Sequence, residues 1–274
     1  MTGANAVHDS VSSPAAGTPR GTGPTRTDRR RARTRGALVA AARAILSDQG
    51  PADVSIQQIT NCADVGFGSF YNHFSSKAEL FEAAVADAAE EYGTLLDDST
   101  AGLTDPAEQF AVGVRITGGL PDTHPQLARI LMRTGLVSMR AGSVLPPRAL
   151  GLIVRGMDAG RFRVADPHVA LAGVAGCLLG LVELRMAPAG DGFGALGGLN
   201  GLDALDGLDG ELRGQEDICE QMAELMLRML GMPAEEAAEV ARRPLPAARW
   251  GGGAVPVPAV AGARDEAGPA AAAR

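Results

Sequence analysis

Two stretches hold side chains whose types and spacing could do chemistry. One is Gly66-x-Gly68-Ser69 followed by Tyr71, Asn72 and His73; the other is the arginine run Arg29, Arg30, Arg31, Arg33 and Arg35. Paired glycines beside a serine could open a phosphate-cradling loop, but that loop needs G-x-G-x-x-G after a strand and before a helix. Tyr71 stands where the third glycine belongs, and a capped helix precedes Gly66, so the context excludes the loop. What remains is polyanion chemistry: arginines for phosphates, with hydroxyl, amide and aromatic side chains for a duplex surface.

Charge is divided unevenly along the chain. Of the formal net −7, the first 43 residues hold +6, eight arginines against Asp9 and Asp28, which leaves −13 for the remainder. A basic front on an acidic body brings only the front to a polyanion. A solvated arginine run is the plainer alternative. The sequence has no H-E-x-x-H, no G-x-S-x-G and no P-loop, and His8, His73, His124 and His168 have no carboxylate at motif spacing, so no enzyme is expected. Cys62, Cys177 and Cys219 lie far apart without metal-ligand spacing. Neither a disulfide framework nor a metal or other cofactor is expected, and the cytoplasm is the natural compartment. No N-terminal signal pattern is legible. The longest apolar run, Val169 to Val182, falls short of the roughly 20 residues that span a bilayer, so no membrane partner is expected.

Helices must position these groups. Residues 1–27, rich in Ser, Thr, Pro, Gly and Ala, read as a disordered tail. A first helix is expected from Asp28, with Leu38, Ala42, Ile45 and Leu46 on one face and a stop at Gly50-Pro51. Ser55-x-x-Gln58 is a capping box with Val54 and Ile59 at staple positions, which starts a second helix running to about Ala63. After Asp64-Val65-Gly66, a short third helix is expected over Phe67 to Asn72, and Ser76-x-x-Glu79 starts a fourth. Two small helices and a turn have the proportions of a helix-turn-helix. Ile59, Ala63, Val65 and Phe70 would face Leu38, Ile45 and Leu46. Phe67, Gly68, Ser69, Tyr71 and Asn72 would face outward, and Gly68 would let the backbone approach a groove closely. Phe67 could touch a thymine methyl or tuck under the first helix.

Everything legible beyond Thr100 is helical, with starts at Asp105-Pro106 and Asp166-Pro167. Residues 189–214, dense in Gly, Leu and Asp, read as a flexible insertion, and 244–274 as a disordered tail.

The arginine-rich lead into "ALVAAARAILSDQG", then "VSIQQITNCADVG" and "GSFYNHFSSKAELF", resembles the tetracycline-repressor (TetR) family of DNA-binding regulators over residues 30 to 85. The resemblance implies an all-α fold: an N-terminal three-helix DNA-binding domain with a helix-turn-helix (28–76), then a helical ligand-binding and dimerisation bundle (77–243). By position, Ser55 resembles the family's phosphate contact at the start of helix two. Phe67, Gly68, Ser69, Tyr71 and Asn72 resemble the recognition surface, and His73 and Lys77 resemble backbone contacts. Asp64 stands where the family's turn commonly has glycine, and Gly66 where it has Ser or Thr. Asp tolerates left-handed backbone angles and Gly is a serviceable cap. Arg29, Arg30, Arg31 and Arg33 gain meaning as an arm in the minor groove or along the backbone.

If the bundle follows the family, Phe110, Arg115, His124, Met132, Arg133, Met139 and Met157 lie in helices around an effector chamber. Met and Phe at such spacing equally suit plain core, and His124 before Pro125 equally suits a helix start. Gly173, Gly176 and Gly180, with Met222, Met226 and Met229, are candidates for a homodimer face; ordinary intrachain core is the alternative. The function implied is a ligand-responsive transcriptional regulator, a repressor that leaves a near-palindromic double-stranded operator when a small molecule binds. The alternative is a helical adaptor that acts through protein partners and has a weak DNA head.

Overall fold

The computed structural model describes residues 25–52, 54–135, 145–187 and 215–246. The expectations for residues 1–24, 189–214 and 247–274, and for Met139, lie outside them. Among the described residues the secondary structure is helical throughout, as the all-α reading requires. The helices are α1 (Arg26–Asp48), α2 (Ile56–Cys62), α3 (Phe67–Phe70), α4 (Lys77–Thr100), α5 (Pro106–Gly118), α6 (Leu120–Thr123), α7 (Pro125–Thr134), α8 (Leu145–Asp158), α9 (Pro167–Met186), α10 (Gln215–Met229) and α11 (Ala234–Ala241).

The chain's own caps fix where these helices begin. α1 starts two residues before the expected Asp28, because Thr25 accepts the Asp28 amide while the Asp28 carboxylate takes the Thr25 amide, a capping box lying inside the stretch expected to be tail. The Ser55–Gln58 box opens α2 as expected. At α4 the box is displaced by one residue. Ser76 accepts the Glu79 amide, but the Glu79 carboxylate turns to the amide and hydroxyl of Ser75. These bonds hold its pKa below the ordinary carboxylate value. Asp105 and Asp166 cap α5 and α9, each with proline at the first helical position.

Two apolar clusters organise the molecule. The first joins α1 through α4 to α6 and α7, with Leu38, Ile59, Phe70, Phe74, Leu80, Leu120 and Leu127 almost fully excluded from solvent. The second joins α5, α9, α10 and α11 around Phe110, Leu181, Met226, Leu227 and Val240. α4 runs on from the first cluster to pack against α5 and α8, so one rigid helix spans both halves. By length and composition α9 could cross a bilayer, its mean hydropathy reaching 1.8 across a window longer than the uncharged run. In the fold it packs against α5, α7, α8 and α10.

Candidate DNA-binding surface and interior cavity

The outward face of the helix-turn-helix grows from the packing beneath it. Phe70 and Phe74 are sealed in the core, and Asp64 makes the turn in the left-handed region at φ 52°. α3 is one turn long and stops at Phe70, short of the expected Asn72, with Tyr71 at its C-cap. Phe67 remains 47% exposed and Tyr71 56% exposed, their rings meeting edge to face at 6.0 Å. Phe67 therefore does not tuck under α1. Asn72 is exposed and Ser69 half-buried, and no atom lies within 4 Å of where a Gly68 side chain would begin. The surface is a rigid two-ring ridge with bare backbone beside it.

Arg29, Arg30, Arg31 and Arg33 sit on the exposed first turns of α1, in keeping with the helix expected from Asp28, because the Thr25 box carries helical geometry through them. Arg31 donates to the Asn72 carbonyl at 3.4 Å, and Arg35 lies over the Phe74 ring at 4.9 Å, so these two brace the ridge from behind. Both guanidiniums, after desolvation, hold the half-buried His73 imidazole below its ordinary pKa.

Two expected phosphate contacts are already engaged inside the chain. The Ser55 hydroxyl donates to Gln58 Oε1 at 2.9 Å within the capping box that opens α2. Lys77 Nζ donates to the carbonyls of Ala52 and Val54 at 3.2 and 2.9 Å; it straps the α1–α2 connection to α4. Sequence spacing could not show this, since the carbonyls lie more than twenty residues upstream.

Inside the body, a cavity of about 190 Å³ opens between α4, α5, α8 and α9. Its wall is mainly Leu, Val, Ile and Ala, with polar exceptions in Tyr92, Asp97, Thr100, Gln109, Thr117, Arg148 and Arg155. Tyr92 and Thr117 hydroxyls lie 2.6 Å apart, and Thr117 also donates to the Gly113 carbonyl at 2.7 Å. Burial pushes the Tyr92 phenol up to about 12. Arg148 crosses α4 at Gly93, where any side chain would collide with its guanidinium, and pairs with Glu90 at 3.0 Å and Asp97 at 3.3 Å. Its charge is thus met before any ligand arrives.

Of the residues expected around a chamber, Phe110 alone lines this cavity among those described. Arg115 instead donates to the carbonyls of Ala241 and Arg243 and pairs with Glu220, tying α5 to the C-terminal helices. Arg133 donates to the Ser47 and Asp48 carbonyls at the end of α1. Met132 and Met157 pack on the two cores. His124 precedes α7 as its N-cap residue, its carbonyl accepting from Ala128. The periodic pattern marked inward-facing residues but could not say which inward space stays empty. Tyr92, Thr117 and Arg148 were missed for that reason.

The proposed dimer residues divide in the same way. Met226 is wholly buried within the chain and cannot meet a partner, and Met222 packs partly on the same core. Gly173 faces Met229 of its own chain at 3.4 Å. Gly176 and Gly180 have open space before them, and Val169, Leu225 and Met229 stand exposed nearby on α9 and α10.

Comparison with known proteins agrees with this architecture. Residues 38–84 match the family model described as bacterial regulatory proteins, tetR family, and residues 105–195 match the tetracyclin repressor-like C-terminal domain. None of the curated proteins matches. Among solved structures, RolR in complex with its ligand resorcinol is 28% identical, with a TM-score of 0.53 over 80% of this chain and 98% of that one. The fatty acid degradation regulator FadR from Bacillus halodurans (14% identical, TM-score 0.51, 71% and 94% covered) and a gamma-butyrolactone receptor, an ArpA-like protein (14%, 0.50, 77% and 94%), share the fold. With both domain models matched in order along a chain whose described secondary structure is helical, the protein is a member of the TetR family of transcriptional regulators.

Proposed function

We propose that this regulator is a cytoplasmic homodimeric repressor that grips a near-palindromic operator through the ridge of Phe67, Gly68, Tyr71 and Asn72 and releases it when a small molecule fills the cavity. Residues 28–76 act as the DNA head and 77–243 as the sensing and pairing body. The observation that carries the reading is α4. Its first turn is strapped to the head through Lys77, and its later turns, at Tyr92, Leu96 and Asp97, form a wall of the cavity. A ligand that fits better when α4 is displaced lowers DNA affinity by that difference in fit.

The cavity supports an effector that is small, mostly apolar and uncharged. At about 190 Å³ it is below the roughly 300–1,000 Å³ of drug-sized sites. Of its two wall arginines, Arg148 is already paired with Glu90 and Asp97, and the exposed Arg155 donates to Gln109 Oε1. Resorcinol, the ligand of RolR, has this character and is the first compound to try.

The test is a binding titration on DNA from upstream of the protein's own gene, with salt varied and resorcinol added. Expected are salt-sensitive binding, a loss of about tenfold in the Tyr71→Ala variant, and release by the effector. Full affinity in that variant would remove the ridge from the interface.

A further inference from the structure

We infer that the cavity selects its ligand by a hydroxyl group that donates a hydrogen bond to the Tyr92 phenol oxygen, and that Thr117 sets this preference from behind. The proposal rests on the reading of the cavity as the effector site and names the chemistry of that effector: a small ring compound bearing a phenol-type O–H.

Three oxygens stand in a row, Tyr92 Oη, Thr117 Oγ1 and the Gly113 carbonyl, at successive separations of 2.6 and 2.7 Å. A carbonyl has no proton to give. Thr117 has one, and unless it goes to Gly113 two oxygens would face each other at 2.7 Å with nothing between them. With that proton spent, the 2.6 Å contact needs the phenol's own proton, so Tyr92 donates to Thr117 and Thr117 donates to Gly113. The phenol keeps this proton at any ordinary pH, because burial raises its pKa.

The consequence is directional. The Tyr92 oxygen has lone pairs left and no proton to offer, and among the described residues nothing donates to it. Tyr92 and Thr117 are each almost wholly buried, and both line a wall that is otherwise mainly apolar. A guest whose O–H reaches this acceptor satisfies it. A guest presenting only an ether or carbonyl oxygen sets two acceptors against each other, and a pure hydrocarbon leaves the phenol oxygen unsatisfied.

The experiment is isothermal titration of the full-length protein with phenol, anisole and toluene, which share a ring and differ in donor and acceptor. Wild type is expected to bind phenol about tenfold tighter than anisole. Thr117→Val removes the acceptor behind Tyr92 and frees its proton, so anisole gains and the preference falls to about twofold or less. Tyr92→Phe is expected to bind anisole and toluene alike. Helical circular dichroism and retained DNA binding check that both variants fold. Wild type that binds anisole as well as phenol, or binds none of the three, overturns the proposal. So does a Thr117→Val protein that keeps the full phenol preference. Phenol binding with the expected preference but no release of DNA would instead overturn the regulatory reading and leave this one standing.

Discussion

At Gly68 the protein leaves a side chain out where one would cost the fold nothing, since the space above it is open. Gly68→Leu is therefore expected to fold with unchanged thermal stability yet lose at least about tenfold in operator affinity, because the added side chain holds the α3 backbone away from the duplex. Wild-type affinity in a titration of that variant would show that α3 does not approach DNA. Asp64 poses the opposite case: a side chain at φ 52°, where glycine is at ease. Asp64→Gly should raise stability by up to about 1 kcal/mol and Asp64→Val lower it by more, both read from denaturant midpoints. His73 gives a pH dependence. Its pKa is lowered in the free protein by desolvation and then by Arg31 and Arg35, so it is neutral at pH 7, and folding stability is lost as pH falls through that lowered value. A nearby phosphate would raise the pKa again. DNA-bound protein would then hold more protons than free protein, and affinity should rise as pH falls from neutral, an effect His73→Gln abolishes in the same titration.

The elements connect the head to the body through charged side chains that hold backbone ends. Arg133 of α7 reaches two carbonyls at the end of α1, and Arg43 of α1 reaches Asp87 and Glu91 of α4 at 2.8 and 2.5 Å. Arg133→Ala is expected to lower stability by only about 1 kcal/mol, since the site is solvent-exposed. It should nevertheless speed amide hydrogen exchange in the last turn of α1, which loses its outside partner; unchanged exchange there would show that α7 does not secure α1. Local signals made the elements themselves legible. Ser55–Gln58, Asp105-Pro106 and Asp166-Pro167 each specify a helix start within a few residues, and the caps formed where those residues stand. The outward placement of Tyr71 was legible too, because Phe70 must go inward, whereas the sequence left Phe67 either outward or under α1. Long-range partnerships were not legible. Lys77 with Val54, Arg133 with Ser47 and Arg115 with Arg243 join residues whose proximity exists only after folding. A cavity is likewise a property of what several helices fail to fill, which no single helix's pattern encodes.

For the whole molecule, the decisive question is what covers the apolar side of α9 and α10. Val169 is 70% exposed and Leu225 56%, with Met229 beside them and open backbone at Gly176 and Gly180. Leaving such side chains in water forgoes roughly 1.5–3 kcal/mol each relative to burial, and a two-fold partner presenting the same face would recover it twice. Pairing also matters for DNA, because an acidic body is repelled by phosphate and one short head makes few contacts. Two heads double the phosphates neutralised, and each adds about 0.9 to the logarithmic salt slope. Val169→Glu combined with Leu225→Glu places charge on this face and disturbs little else, both residues being exposed in the single chain. The double variant should sediment as a folded monomer with its helical circular dichroism intact. On operator DNA its salt slope should fall to about half the wild-type value, because one head remains where two had bound. If the double variant stays dimeric and keeps the full slope, the pairing surface lies elsewhere on the molecule, and α9 and α10 need another explanation for their exposed apolar side.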